Sequence, residues 1–320
     1  MPLDLITVGA VCADVMVRPV ETFPPRGQLA LVPTLEMHVG GLAGVTAAIF
    51  CQLGGRAGFV GRVGADSFGD YIVSTLQTAG VDVSGVRRDP EHRSSASIVM
   101  VSEDGERTFL HHLGTNATTA PEDLTMDHIT GAKVLHWGGP SLCPLLDGAP
   151  IAGVLRQARE QGVKTSMDTC YDGKGIWLPL IEPALQHLDI VFSSLEEARK
   201  YTSRHEPEEI ADFYLTHGVN IAVIKLGDRG MYVKSAGGEQ YQLPAHEVEV
   251  VDTTGAGDAA CGGFLYGYTQ GWDLQRCGRL ANAVGGLTVQ HMGGAEAITS
   301  IEDTLAFMEN NACLASSSPR

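Results

Sequence analysis

The residues best suited to chemistry lie in the stretch D-T-T-G-A-G-D, residues 252–258. An alternating run at 246–251 predicts a strand before this stretch, and an apolar run rich in small residues predicts a buried helix after it. Gly255 and Gly257 allow a positive φ and let backbone N–H groups approach a ligand with no Cβ in the way. A glycine turn at a helix start gathers unpaired N–H groups at the positive end of the helix dipole, which predicts a site for a phosphoryl group.

Asp258 stands at the mouth of this predicted anion site. A carboxylate does not help to bind another anion, but it can accept the proton of a hydroxyl group that attacks the phosphoryl group. We expect an Asp at a helix start to stay ionised, so Asp258 is predicted to act as a base. The alternative is an ordinary strand–turn–helix connection in which the acidic residues only cap the helix.

The elements that must position these residues alternate along the chain. Predicted strands lie at 5–11, 133–137, 163–168, 188–192 and 221–226, and predicted helices at 149–161, 178–187, 195–202 and 207–217. This alternation indicates βαβ crossovers and an α/β fold with a mainly parallel central sheet. Asp14 follows the first strand near its carboxyl end, where ligands bind in open α/β sheets, although a surface turn would also explain it.

Two further segments predict strands outside the main sheet. Prolines between residues 18 and 38 break up extended pieces at 28–33 and 35–39. Residues 98–102 and 108–113 flank an Asp104-Gly105 turn, which predicts a hairpin. Segments 12–39 and 94–113 therefore predict a small β-sheet lid, inserted in one domain of residues 1–314, with a disordered tail at 315–320.

Composition excludes several classes of function. The net charge is −16, which argues against nucleic acid and against an anionic membrane surface as partners. The seven cysteines are widely spaced, which argues against a disulfide scaffold or a zinc site. No signal peptide or membrane span is visible at the sequence level, so we expect a soluble, cytoplasmic protein.

The motifs resemble those of one family. The 252–258 stretch resembles the carboxyl-terminal signature of the ribokinase-like (PfkB) carbohydrate kinases, and Gly40-Gly41 with G-R-V-G-A-D-S-F-G at 61–69 is similar to their amino-terminal signature. The resemblance implies a ribokinase-like βαβ sandwich with a β-sheet lid. It implies ATP-dependent transfer of the γ-phosphoryl group to a hydroxyl of a small sugar or sugar derivative, and the hydroxyl expected is a primary one (CH₂OH). In that reaction Asp258 is the base, and the Gly255, Ala256 and Gly257 amides form the anion hole.

The resemblance also implies a nucleotide side. Lys225, Gly227 and Gly230 belong to a loop similar to one beside the ATP phosphates, and Asn282 matches an adenine-side position, although it also suits the polar face of a helix. Ser194 and Glu197 stand where the family has N-x-x-E, which implies that Glu197 acts on Mg²⁺ through water.

Ser194 and Glu197 also predict an ordinary helix cap, and the two roles are compatible. Beside the anion hole, Asp252 and Thr254, with carbonyls from 289–294, match a K⁺ site that is common in the family. The sequence permits K⁺ but does not require it.

Substrate contacts are implied for Asp14, Gly40, Gly41 and Asp168, with Asn116 ordering the pocket. Where sugar-binding relatives often have Asn, this chain has Cys12 and Val45, which disfavours ribose because buried polar groups specify by pairing. Asp172 replaces an Arg, which makes an anionic group at that position less favourable. Arg107, His111 and His112 lie on the predicted hairpin, where one of the histidines could meet a substrate.

Other functions remain as alternatives. A nucleoside (adenosine-like) kinase of the same fold would need aromatic stacking residues, for which Phe23 and Phe109 are the candidates. A non-catalytic sugar or nucleotide sensor would not need Asp258. An oxidoreductase is disfavoured because G-x-G-x-x-G does not follow the first strand. The family resemblance further implies a homodimer formed through the lid.

Overall fold

The structure is a computed structural model that describes residues 2–103, 105–293 and 298–310. The strands are β1 Leu5–Gly9, β2 Cys12–Arg18, β3 Thr34–Gly40, β4 Ala57–Gly64, β5 Val86–Asp89, β6 Ala96–Val101, β7 Arg107–His112, β8 Val134–Gly138, β9 Lys164–Asp168, β10 Ile190–Ser194, β11 Ile221–Lys225, β12 Met231–Ser235 and β13 Gln240–Leu243. The α-helices are α1 Leu42–Gln52, α2 Ser67–Thr78, α3 Met126–Ile129, α4 Ala149–Glu160, α5 Glu182–Leu185, α6 Leu195–Thr202, α7 Pro207–Thr216, α8 Ala256–Thr269, α9 Leu274–Thr288 and α10 Ile301–Asn310.

Nine strands form the main sheet, in the order β13-β12-β11-β10-β9-β8-β1-β4-β5. The pairs from β11 to β5 are all parallel, whereas β12 and β13 pair antiparallel at one edge. Parallel neighbours need crossover connections, which the intervening helices provide. The predicted α/β fold with a mainly parallel central sheet is confirmed.

The hydrophobic core lies on both faces of the main sheet. Successive residues of a strand point to opposite faces, so the apolar strands feed two separate layers. In β8, for example, Leu135 packs with residues of α4 and α6, whereas Val134 packs with residues of α1 and α8. Burial on both faces explains why these strands have continuous apolar sequences.

The second sheet has four strands, in the order β3-β2-β6-β7. It is built from the two segments that the sequence assigned to a separate β-layer, so the predicted small sheet is confirmed. The hairpin is also present, because β6 and β7 pair antiparallel and Gly105 in their turn has a φ of +84°. Residues 28–33, however, form no strand, since β3 begins at Thr34 and alone occupies the edge beside β2.

The strand predicted at 246–251 is wrong. Pro244, which has no N–H to donate to a ladder, follows the last residue of β13 directly. The segment instead runs along α9 and α10: the ring of His246 lies 4.9 Å from that of Phe307, and the Val251 N–H donates to the Val289 carbonyl at 2.8 Å. The D-T-T-G-A-G-D stretch is therefore preceded by an extended segment without strand pairing.

The helix predicted at 178–187 is interrupted. It consists of a short 3-10 turn, Leu178–Leu180, and the single turn of α5, because Pro179 and Pro183 favour the start of a helical turn over its interior. The domain boundary at 314, the tail at 315–320 and residue 294 of the predicted K⁺ loop lie outside the described residues.

The carboxyl ends of three adjacent strands bring distant parts of the sequence together. β9 ends at Asp168, β10 at Ser194 and β11 at Lys225, and these strands are neighbours in the sheet. At this edge the loops and helix starts that follow the strands can share one ligand. Within the described ranges, no helix is both long and apolar enough to cross a membrane.

Candidate functional site

The first turn of α8 carries the predicted anion hole. Gly255 precedes the helix in the left-handed region, with a φ of +73°, and this turn aims the following N–H groups toward one point. The first strong helical bond runs from the Ala259 N–H to the Gly255 carbonyl at 2.8 Å, so the amides before residue 259 belong to the unpaired start of the helix. The Ala256 N–H makes only a long contact, 3.4 Å, with the Thr253 carbonyl.

Gly257 lies in close contact with a side chain and does not adopt the positive φ that its residue type allows. A Cβ on it would lie 3.1 Å from Nζ of Lys225. The Lys225 side chain therefore ends directly against the first turn of α8. This contact places a positive charge beside the amides that are predicted to hold the phosphoryl group.

Asp258 lines a cavity that lies between β2 and β3 of the second sheet and the starts of α1 and α8. The Thr46 hydroxyl of α1 donates to the Asp258 backbone carbonyl at 3.1 Å and fixes this turn against α1. Burial raises the pKa of Asp258 to about 7, the negative charge of Asp168 adds to the shift, and Lys225 opposes it. The expectation that this carboxyl group is ionised throughout the neutral range is thus corrected: near pH 7 the free protein holds it in both forms.

Lys225 and Asp168 form a buried ion pair at the ends of their strands. Nζ of Lys225 lies 2.7 Å from each carboxylate oxygen of Asp168, and Asp168 is fully buried. Burial alone would lower the pKa of Lys225, but the Asp168 carboxylate outweighs burial and raises that pKa, so the amine is charged. Cys261 of α8 completes the cluster through a thiol that donates to Asp168 at 3.2 Å.

Ser194 and Glu197 form the predicted capping box at the start of α6. The Ser194 hydroxyl accepts from the Glu197 N–H at 3.3 Å, and the Glu197 carboxylate accepts from the Ser194 N–H at 3.4 Å. The same carboxylate oxygen accepts from the Thr169 hydroxyl at 2.9 Å. Burial raises the pKa of Glu197 and Lys225 opposes the shift. A cation bound nearby would favour the ionised form of this carboxyl group.

Asp252 shapes the loop before the anion hole. One of its carboxylate oxygens accepts from the N–H and the hydroxyl of Thr254, at 2.9 and 2.7 Å, and the other accepts from the Gly293 N–H at 3.3 Å. Asp252 is buried. Each carboxylate oxygen of Asp252 therefore accepts at least one hydrogen bond that holds the loop. The binding of K⁺ by Asp252 and Thr254 stays a prediction.

The predicted substrate residues Asp14, Gly40 and Gly41 meet the catalytic turn at the same cavity. Its lining consists of Asp14, Met16, His38, Val39, Gly40, Gly41, Val45, Thr254, Gly255, Asp258 and Gly293. A Cβ on Gly40 would lie 1.9 Å from Oδ2 of Asp14, so glycine is required there for Asp14 to keep its position. Gly41 has a φ of +88° and packs against the Ala10 backbone. The acceptor and phosphoryl sides, predicted from motifs more than 200 residues apart, are adjacent in space.

His38 is a site residue that the sequence analysis missed. It pairs with Asp14 across β2 and β3, lines the cavity, and packs its ring where a side chain at residue 293 would otherwise lie. The alternation of β3 was the available signal, because a strand that ends at Gly40 and pairs with β2 must place His38 and Asp14 on one face.

Two predicted site residues act behind the cavity. Asp168 does not line it, since its carboxylate is used by Lys225. Asn116 is fully buried, and its side-chain oxygen accepts from the Val11 N–H at 3.4 Å, just before β2 begins. Its position supports the predicted role in ordering the pocket.

The remaining nucleotide-side residues lie around the end of β11. Gly227 begins a 3-10 turn with a φ of +64° and faces open space, which leaves room for a ligand. Gly230 is structural, because a Cβ on it would lie 2.0 Å from the Leu243 carbonyl. The Asn282 side chain donates to the carbonyls of Leu243 and Pro244, at 3.1 and 2.9 Å, and fastens β13 to α9. Its contact with adenine stays a prediction.

Comparison with known proteins places this geometry in a family. Residues 3–301 match the model of the pfkB family carbohydrate kinases. The chain belongs to the PfkB family of carbohydrate kinases. The expected family and the class of enzyme, a phosphotransferase, are thereby confirmed.

Relatives of this PfkB kinase are named as kinases of different substrates. An ATP-dependent ribose-1-phosphate kinase of Halopiger xanaduensis is 30% identical over 298 residues, which cover 92% of this chain and 95% of that protein. The solved structure of Arabidopsis thaliana ribokinase with ribose and ATP has a TM-score of 0.83 at 25% identity, and covers 97% of this chain and 99% of that chain. Adenosine kinase of Sinorhizobium meliloti has a TM-score of 0.80 at 26% identity, with 98% and 100% covered.

Proposed function

We propose that this PfkB kinase transfers the γ-phosphoryl group of ATP to a hydroxyl group, on a terminal carbon, of a small sugar or sugar derivative. The observation that carries the proposal is the shared cavity, in which Asp258 and the Gly255 turn face Asp14 and Gly40. A hydroxyl that is bound by Asp14 therefore lies in the same small space as a carboxylate base and a helix start that binds anions.

Each part of the site has a distinct task in this reaction. The Gly255, Ala256 and Gly257 amides stabilise the negative charge on the transferring group, and Lys225 adds a fixed positive charge against the same turn. Asp258 orients the acceptor hydroxyl and takes its proton as the new bond to phosphorus forms. The acceptor oxygen bonds to the γ-phosphorus of ATP as the bond from that phosphorus to the bridging oxygen breaks. ADP departs with the electron pair of the broken bond, and Asp258 receives the proton of the acceptor hydroxyl.

The residues at the end of β10 offer Mg²⁺ one carboxylate, so its other ligands would be water and substrate phosphates. Within the described part of the chain, no three His, Cys, Asp or Glu side chains cluster in a way that would hold a metal. Mg²⁺ commonly uses one or two carboxylates, with water and substrate phosphates as its other ligands, and Glu197 can act in that manner. Bound Mg²⁺ would neutralise charge on the phosphates of ATP. Ser194 and Glu197 would hold it through water, and K⁺ at Asp252 and Thr254 is proposed as an optional second cation.

A nucleoside acceptor is the second candidate, favoured by the similarity to adenosine kinase. The cavity lining, however, contains no Phe, Tyr or Trp side chain among the described residues. Phe23 and Phe109, the two candidates for stacking, are 65% and 48% exposed and lie outside the cavity. A sugar is therefore the better-supported acceptor, and the presence of Asp258 in the cavity disfavours a non-catalytic sensor.

An ATP-consumption screen tests the proposed function. The panel contains sugars, polyols and nucleosides with Mg²⁺, each with and without K⁺, and Asp258→Asn serves as the matched control for contaminating kinases. We expect turnover with at least one sugar or polyol, and turnover at least about a hundredfold lower with the control. Turnover restricted to nucleosides would replace the proposal with the second candidate, and silence across the panel would overturn the kinase assignment.

We also propose that a second copy of this chain covers the outer face of the second sheet. One apolar row crosses its four strands there, since Met37, Val15, Ile98 and Leu110 are paired in register. Ile98 and Leu110 are 45% and 51% exposed. Contiguous exposed apolar residues of this kind are typical of protein–protein contacts. A self-complementary face would form a symmetric homodimer.

Light scattering after size exclusion tests the dimer. We expect the mass of a dimer for the unaltered protein and of a monomer for Ile98→Glu. Leu145→Glu is the matched control, because Leu145 is 51% exposed outside this row. A monomeric unaltered protein, or a dimer that survives Ile98→Glu, would contradict the proposal.

A further inference from the structure

The inner face of the second sheet carries one polar side chain on each of its four strands, in a single row. His38 of β3 is paired with Asp14 of β2, Asp14 with Ser97 of β6, and Ser97 with His111 of β7. Residues paired across a sheet project from the same face. Because Asp14 and His38 line the cavity, the whole row belongs to the face that is turned toward Asp258.

The row is connected by hydrogen bonds and extends from the interior to the rim. The Ser97 hydroxyl lies 3.0 Å from Nδ1 of His111 and contacts the Cys12 thiol, which donates to the Asp14 carboxylate at 3.2 Å. Asp14, Ser97 and His38 are buried, whereas His111 is exposed. A ligand in the cavity would meet Asp14 and His38 directly, and Ser97 and His111 continue the row from Asp14 toward the rim.

His38 has a buried ring nitrogen that finds no hydrogen-bond partner in the described part of the chain, and it lies in the wall of this cavity, where the ring packs against Gly293. Its Nε2 lies 3.2 Å from a Glu36 carboxylate oxygen, so Nε2 carries the hydrogen in that bond. Its Nδ1 is buried and has no partner among the described residues. In a neutral ring with hydrogen on Nε2, Nδ1 is an acceptor, and it needs a donor from a ligand. A ligand hydroxyl supplies such a donor and removes the cost of the unpaired buried atom.

The charges around the cavity select against an anionic ligand. Its charged lining residues are Asp14 and Asp258, and the described lining contains neither Lys nor Arg. The ring of His38 is already paired with the Glu36 carboxylate. Burial lowers the pKa of His111, against an opposing effect of Asp14, so this ring supplies little positive charge near neutral pH. A second carboxylate or phosphate would be desolvated here without a cation to pair with.

We propose that the row His38–Asp14–Ser97–His111 binds the hydroxyl groups of the acceptor and makes this kinase selective for neutral polyhydroxy acceptors, uncharged sugars or polyols, over sugar acids and sugar phosphates. This inference rests on the proposed function, since it assigns the acceptor of the same cavity. It departs from the ribose-1-phosphate kinase to which the chain is 30% identical, because that protein's name denotes a phosphorylated acceptor.

The acceptor class is tested by binding and turnover on the same panel. Neutral hexoses, pentoses and polyols are compared with gluconate derivatives and ribose 1-phosphate, at equal concentration and with Mg-ATP. Calorimetry with a non-hydrolysable ATP analogue measures binding without turnover. We expect the best neutral acceptor to exceed every acidic one at least tenfold in kcat/KM and in affinity, which is the effect of about one unpaired buried group.

Adjacent histidines on β7 supply a matched pair of variants. His111 belongs to the row, whereas His112 is paired with Ala96 and projects from the other face. We expect His38→Ala to raise the KM for the acceptor about tenfold, the effect of one buried hydrogen bond, and His111→Ala to raise it less because the group is at the rim. His112→Ala should leave it unchanged, and the KM for ATP should be unchanged in all three. His111→Ala keeps the test valid if His38→Ala does not fold.

The outcomes separate this inference from the kinase assignment. Preferred turnover of a sugar acid or phosphate would leave the kinase function standing and overturn the acceptor class. Binding of neutral acceptors without turnover would support the acceptor class and overturn the kinase function. Equal effects of His111→Ala and His112→Ala would overturn the role of the row, and a panel that neither binds nor reacts would overturn both proposals.

Discussion

The two sides of the cavity are built in different ways. The phosphoryl side uses backbone amides at the start of α8, backed by the buried pair of Lys225 and Asp168. The acceptor side uses side chains on a separate sheet, with Asp14 and His38 on neighbouring strands. Amides held by a helix depend little on side-chain identity, whereas a strand position can change its side chain without changing the fold.

This difference assigns phosphoryl transfer to one side of the cavity and the choice of acceptor to the other. The phosphoryl side resembles its family in sequence, and the acceptor side departs from it at Cys12 and Val45. Both departures lie at or beside the cavity: the Cys12 thiol is 3.2 Å from Asp14, and Val45 is in the lining. Changes on the phosphoryl side should therefore reduce turnover with every acceptor, and changes on the acceptor side should alter which acceptor binds.

The largest expected effect is on the phosphoryl side, at Asp258. Asp258→Asn keeps the size of the side chain but cannot take a proton, so kcat should fall by about 10²–10⁴-fold, the usual contribution of a general base. ATP affinity should change little, because the residue faces the acceptor cavity. Steady-state kinetics and ATP binding by calorimetry measure the two quantities. A variant that retains near-normal kcat would remove Asp258 from the mechanism.

Lys225→Met should give the next largest effect, on stability and turnover together. It leaves the fully buried Asp168 carboxylate without its partner, which costs about 3–5 kcal/mol when one member of a buried pair is lost. Urea denaturation measures the free energy of unfolding. The double variant Lys225→Met, Asp168→Leu is the control and should recover most of the stability, although not the turnover. Unchanged stability in the single variant would show that the pair is not formed as described.

Gly40→Ala should have a smaller effect, confined to the acceptor side. The added Cβ would lie 1.9 Å from Oδ2 of Asp14 and must displace that carboxylate. We expect the KM for the acceptor to rise about tenfold, the effect of one hydrogen bond, with no change in the KM for ATP. Gly153→Ala in α4 is the control for added bulk alone, since no atom lies within 4 Å of a Cβ there and its φ is not positive. If Gly40→Ala raised the KM for ATP as much as the KM for the acceptor, the two sides of the cavity would not act separately.

Much of the fold was predictable because local patterns decide it. The apolar strands β8 to β11 and their intervening helices follow from periodicity, and the capping box at Ser194 and Glu197 was visible in the sequence. The strand at 246–251 was predicted wrongly because its alternation is real but Pro244 and the packing of His246 on Phe307 draw it away from the sheet. Tertiary packing overrode the local pattern.

The part of the site that depends on backbone conformation could be predicted from the sequence. The part that depends on which strands pair with each other was harder to predict. The Gly255 turn and Asp258 follow from one short motif. The Lys225–Asp168 pair and the place of His38 beside Asp14 depend on which strands become neighbours, which no local pattern specifies. The raised pKa of Asp258 likewise arises from burial and from Asp168, 90 residues earlier in the chain.

The pH dependence of kcat/KM tests the central claim, that Asp258 is the base of this cavity, most directly. Since its pKa is raised to about 7, the base form is present above that value and is lost as the pH falls through it. Between pH 5 and 9 we therefore expect kcat/KM to fall about tenfold per unit below pH 7 and to level off above it, whereas the residual activity of Asp258→Asn should lack this acid limb. A flat profile down to pH 5, or the same limb in Asp258→Asn, would contradict the account.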